Sequence, residues 1–125
     1  MGDKRYLTGE VRTYSSGTPG RALWRARTNH FVTDDLTDHG GPGEAATAIE
    51  LFLGGITACA VFMVERLAKE GGLALKRAEV RMDAMSDRQA LRSGPPVLDR
   101  ATMHFEFAGI TEDAAAKLVK TFKDR

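Results

Sequence analysis

Hydrophobic and polar positions along the 125-residue chain divide it into segments of two periods. In the first third, Tyr6 to Tyr14 and Ala22 to Val32 read as two strands. Between them Ser15-Ser16-Gly17-Thr18-Pro19-Gly20 supplies the glycine and proline that turn dihedrals require, so the pattern predicts a β-hairpin. Asp38 to Gly43 contains Gly40-Gly41-Pro42-Gly43, which suits neither a strand nor a helix and predicts a loop. A long helix follows. Thr47-Ala48-Ile49-Glu50 has the capping-box pattern, in which a hydroxyl and a carboxylate satisfy backbone N–H groups left open at a helix start. The helix should run to about Glu70, where Gly71-Gly72 provides a left-handed stop and Arg66 and Lys69 suit the negative end of the dipole.

Beyond it, Ala78, Val80, Met82 and Ala84 alternate with Glu79, Arg81 and Asp83, and Met103, Phe105 and Phe107 alternate with Thr102, His104 and Glu106. Period two over such runs predicts two half-buried strands. Gly94-Pro95-Pro96 cannot continue a ladder, so Ser86 to Arg100 should be a long connection. From Thr111, an N-cap followed by Glu112 and Asp113, the residues Ala115, Leu118, Val119 and Phe122 fall at helical spacing and predict a C-terminal amphipathic helix.

Strands segregated from helices, with no strand–helix alternation, give an α+β class with helices on an antiparallel or mixed sheet. No repeat or linker divides the sequence, so residues 1–125 are expected to form one domain. The long helix is unusual. From Leu51 to Val64 it is apolar on every face, whereas one small sheet covers only one side. A homodimer packed through these helices would cover the other side. Gly54 and Gly55, each costing about 1 kcal/mol relative to alanine, would allow a second backbone to approach.

Charge and cysteine content narrow the functional classes. Eighteen basic against seventeen acidic residues create no global field for nucleic acid or anionic lipid. A fourteen-residue apolar run is short of the roughly 20 residues that span a bilayer, so no membrane partner is expected. One cysteine, Cys59, and no apolar leader in Met1 to Tyr6 make a reducing cytoplasmic setting the expectation. His30, His39 and His104 share no ligand spacing with one another or with Cys59, so neither a metal nor another cofactor is assigned. Trp24 and the methionines occupy apolar positions that packing explains, and Arg25 and Arg27 alternate with Trp24 and Ala26 as on a solvated strand face.

Cys59 itself has two readings. A free cysteine in an apolar run is commonly a small core hydrophobe. A reactive thiol needs a cation, a helix N-terminus or a donor close by. No lysine or arginine occurs from Thr28 to Glu65, and Cys59 is about three turns into the helix, beyond the reach of the dipole. Glu50, nine residues earlier, is rotated by roughly 180° from Cys59 on an ideal helix and fits the capping role better.

Gly40-Gly41-Pro42-Gly43, then Ile49-Glu50-Leu51-Phe52-Leu53-Gly54-Gly55-Ile56-Thr57-Ala58-Cys59, a helix ending at Gly71-Gly72 and a strand, resemble the OsmC/Ohr superfamily. This is the group of osmotically inducible protein C and organic hydroperoxide resistance proteins, and the order of elements is similar over nearly the whole chain. The resemblance implies an OsmC-like fold, an intertwined homodimer and thiol-dependent reduction of organic hydroperoxides. It places the peroxide-attacking cysteine at Cys59, which would pass through a sulfenic acid. It also implies an arginine that stabilises the thiolate, for which Arg21 is the nearest match, and an orienting glutamate, matched loosely by Glu50 because some members carry the acid where this chain has Ile49. Peroxidase members add a Cys-Pro pair after the C-terminal helix, and these 125 residues hold none. An internal disulfide cycle within these residues is therefore not expected, and the peroxidase reading takes an external thiol as reductant. The other reading is a noncatalytic dimeric module that binds a small apolar molecule at its interface, with Cys59 structural.

Overall fold

A computed structural model describes residues 5–87 and 98–125. Chain contacts divide it into two compact units, Met1–Phe52 and Leu53–Arg125. The expected connection at Gly94-Pro95-Pro96 lies outside the described residues.

In the first unit, β1 (Arg12–Ser15), β2 (Arg21–Ala26) and β3 (Asn29–Asp34) form an antiparallel meander in that order. The hairpin expected around Gly17 and Gly20 is present, pairing Ser15 with Ala22 and Arg12 with Arg25. The expected strand Ala22 to Val32 is instead two strands. Ala26 pairs with Asn29 across a two-residue turn in which Arg27 has a φ of 57°. Arginine is an uncommon choice for positive φ, which is why the turn carries no glycine signal. This second hairpin also shortens the first strand. Because β2 ends at Ala26, Tyr6 to Glu10 have no ladder partner among the described residues, and β1 begins at Arg12 rather than Tyr6.

A short 3-10 turn, Thr37–His39, and the glycine-rich loop follow. Gly20, at a φ of 77°, packs its backbone directly against Gly41, and Asp35 N–H donates to the Gly20 carbonyl at 2.7 Å. A side chain at either glycine would collide with backbone, so the pair fixes the loop on the hairpin turn. Helix α1 (Ala48–Glu70) begins with the expected capping box. Glu50 N–H donates to Thr47 Oγ1 at 3.2 Å, and Thr47 N–H donates to Glu50 Oε1 at 2.8 Å.

In the second unit, β4 (Arg77–Met85) and β5 (Arg100–Ala108) pair antiparallel from Arg77↔Ala108 to Met85↔Arg100. Both alternate as expected, with Ala78, Val80, Met82 and Ala84, and Met103, Phe105 and Phe107, half-buried. Helix α2 (Glu112–Lys123) is capped by Thr111, whose hydroxyl accepts from Ala114 N–H at 3.2 Å. The apolar core is here: Val64, Leu67 and Ala68 of α1 and Leu118 of α2, with Phe105, Phe107 and Phe122 packed around them. The pairing is thus antiparallel, one of the two expected forms, and among the described residues the strands are divided between a three-stranded and a two-stranded sheet.

Burial along α1 is one-sided. Ala60, Val64, Leu67 and Ala68 are buried at helical spacing, whereas Phe52, Gly55, Ala58, Cys59 and Phe62 are exposed. By length and composition the helix is apolar enough to cross a membrane, and only 11% of its most apolar window is buried.

Candidate functional site

Asp34 is the one buried residue of the first unit among those described, at 0% exposure. It ends β3, opposite Arg21 at the start of β2. Arg21 donates to both of its oxygens, Nε to Oδ1 at 2.7 Å and Nη2 to Oδ2 at 2.8 Å. The loop before α1 adds two backbone donors: Glu44 N–H and Ala45 N–H reach Oδ2 at 3.0 and 2.9 Å. A buried carboxylate is tolerated only when its lone pairs are met in this way. The Arg21 hydrogen bond, aided by these two N–H groups, holds the Asp34 carboxyl well below the usual carboxylate range. The Asp34 hydrogen bond in turn raises the already high pKa of Arg21, with a smaller contribution from Glu44, 3.4 Å from Nη2.

Arg21 and Asp34 lie in a cleft of about 850 Å³. Tyr14, Ala22, Leu36, Ala48 and Ile49 give it apolar walls, and His39 and Glu50 add polar groups. His39 Nδ1 lies 3.2 Å from Asp35 Oδ1. Arg21 and Glu50, both sequence-expected site residues, line this one cleft but are not bonded to each other. Glu50 serves Thr47, whose backbone N–H, followed by its hydroxyl, lowers the Glu50 pKa. Arg21 serves Asp34. Its Nη1 group has no hydrogen-bond partner among the described residues and remains a free donor.

Cys59 belongs to the second unit and is exposed. It occupies the face of α1 turned away from the Val64–Leu118 cluster, with the 61%-exposed ring of Phe62 one turn on. Within the single chain it is not the core residue that one sequence reading describes. Among the described residues no three His, Cys, Asp or Glu side chains gather as a metal-ligand set would.

Comparison with known proteins gives the family. The model of the OsmC-like proteins matches residues 41–125, more than half of the chain. The chain belongs to the OsmC-like family. Solved structures carry the same fold. An OsmC-like protein from Mycoplasma pneumoniae aligns with a TM-score of 0.80 at 11% identity, over 95% of this chain and 82% of that one. An organic hydroperoxide resistance protein from Elizabethkingia anophelis aligns with a TM-score of 0.75 at 16% identity, over 96% and 84%. The organic hydroperoxide resistance protein OsmC from Legionella pneumophila gives 0.73 at 17% identity, over 94% and 83%. At these identities the likeness establishes the fold. No curated protein matches the sequence. Asp34 is the part of the OsmC-like chain that sequence reasoning missed, because the turn at Arg27, from which the register places Asp34 opposite Arg21, carries neither glycine nor proline to mark it.

Proposed function

We propose that this OsmC-like protein reduces organic hydroperoxides through Cys59, as a homodimer in the cytoplasm, with an external thiol as reductant. The observation that supports the reading most directly is the exposure of Cys59 in an apolar stripe, on the helix that the OsmC-like family model matches. The Cys59 thiolate attacks one peroxide oxygen. The S–O bond forms as the O–O bond breaks, the sulfur loses two electrons, and the alkoxide leaves as an alcohol after protonation. A first external thiol then displaces water from the sulfenic acid to give a mixed disulfide, and a second thiol restores Cys59. Arg21 and Glu50 are retained in this proposal as the accompanying cation and acid.

The test is mass spectrometry after cumene hydroperoxide in the presence of a sulfenic-acid trap. One adduct, on Cys59, is expected. Peroxide consumption without that adduct, or a thiol that alkylates only after unfolding, would overturn the proposal. The second outcome would favour the noncatalytic dimeric module, which one observation supports: Arg21 and Glu50 are both engaged by structural partners.

The homodimer rests on the uncovered side of α1. Phe52 and Phe62 are more than half exposed, and a Cβ at Gly54 or Gly55 would meet nothing within 4 Å among the described residues beyond its own helix. Alanine at these positions would favour the isolated helix by about 1 kcal/mol each, so the fold of one chain gives no reason for glycine. A second α1 approaching there does. Gly54→Leu should therefore loosen the dimer, read as a higher dissociation constant in sedimentation, because the added side chain forces the backbones apart. Unchanged association would place the glycines away from the contact.

A further inference from the structure

The near-zero net charge conceals a split along the chain. Residues 5–30 hold five arginines and one acid, Glu10, whereas no lysine or arginine occurs from Thr28 to Glu65. Strand register gathers these cations. Arg12 is directly opposite Arg25, and Arg25 is directly opposite His30, so three basic residues form one row across all three strands of the first sheet. Directly opposed residues share a face, and like charges placed so disfavour pairing. Arg27 joins them from the tight turn, at the positive φ that asparagine or glycine would adopt more readily. Solvation of a strand face, the reading that alternation alone gives to Arg25 and Arg27, explains neither choice.

Arg12, Arg25 and Arg27 line a cavity of about 540 Å³, whose other wall is the segment from Thr8 to Val11. Arg12 has the exposed Glu10 at 3.1 Å, a pair of the kind that contributes little in water. Arg25 and Arg27 have no ion-pair partner among the described residues. The structure thus combines a built concavity, a like-charge row that costs pairing energy and two unneutralised guanidinium groups.

We propose that this cavity binds the phosphate group of a small phosphorylated molecule, with Arg12, Arg25 and Arg27 receiving its oxygens. Guanidinium is a planar fork of donors that matches phosphate oxygens two at a time, and it holds its charge at any physiological pH. Three such groups with one opposing carboxylate suit a ligand carrying two or more negative charges. The site is independent of Cys59 and of the peroxidase reading.

The test is titration of the full-length protein with pyrophosphate, followed by calorimetry and by backbone amide shifts. Saturable binding to one site is expected, with shifts confined to residues 8–12 and 25–27, and weakening as salt shortens the screening length to about 8 Å. The Arg25→Ala/Arg27→Ala variant should bind about tenfold more weakly or worse, which corresponds to loss of charge-assisted hydrogen bonds. Arg77→Ala, at an exposed arginine of the second sheet, should bind as the parent does. Absence of saturable binding, or equal weakening by Arg77→Ala, would overturn the proposal. Binding to anionic phospholipid vesicles without binding of pyrophosphate would also overturn it, since the groups would then answer to a charged surface.

Discussion

Cys59→Ser should bring hydroperoxide consumption down to the level of the buffer while leaving the fold in place. A serine hydroxyl at neutral pH supplies no equivalent of the thiolate nucleophile, and the substitution changes one exposed atom. The stability change within a single chain should stay within about 0.5 kcal/mol, as for other exposed positions. Coupled assays with an external thiol, beside a thermal melt of the same preparation, separate the two effects. If Cys59 only packs against a second copy, the outcome reverses. There is then no activity to lose, and a hydroxyl placed in an apolar contact should weaken the assembly by about 1–3 kcal/mol. Retained hydroperoxide consumption in the serine variant would remove Cys59 from the chemistry altogether.

The second large effect is expected at Asp34. Asp34→Asn keeps the side-chain shape but removes the charge that faces Arg21 and replaces an acceptor oxygen with a donor, so the N–H groups of Glu44 and Ala45 compete for what remains. Breaking a buried, fully bonded pair from one side leaves polar groups unmet, which is among the most disruptive of single changes. Amide exchange in β2 and β3 should quicken by more than about tenfold, while β4, β5 and α2 keep their protection. Uniform protection across both sheets would show that Asp34 does not organise the first unit. The acid dependence has a definite sign. Folding lowers the Asp34 pKa, so its contribution is complete above the unfolded carboxyl value near 4 and is lost as pH falls through the lower folded value. The asparagine variant should lack that part of the acid-induced loosening.

Much of the architecture was legible because local chemistry and tertiary structure agree in this chain. The capping box at Thr47 and Glu50, the stop at Gly71-Gly72, the alternation of β4 and β5 and the Thr111 cap are each written in adjacent residues. What escaped was encoded by pairing rather than by composition. The turn at Arg27-Thr28 has no glycine or proline, so Ala22 to Val32 looks like one strand. Counting outward from Ala26↔Asn29 reaches Arg21↔Asp34, and without that turn the ion pair cannot be found. Arg21 was legible as a lone basic residue near the hairpin, but its partner was not. Glu50 shows the converse: its cap role was legible, and the structure gives it that role. For Cys59, a helix apolar all round hid which stripe faces the core, since only the positions of β4, β5 and α2 decide it.

The first unit has a temperature character of its own. Among the described residues it buries no apolar side chain, and its one buried group is a carboxylate met by a guanidinium and two backbone amides. Apolar cohesion weakens on cooling, because the release of hydrating water drives it less as temperature falls. The cost of withdrawing charges from water also grows on cooling, but it goes on easing on warming after the apolar contribution has reached its plateau. Heat therefore goes on favouring the Asp34 network after the Val64–Leu118 cluster has stopped gaining, and one chain carries two kinds of cohesion with different thermal limits.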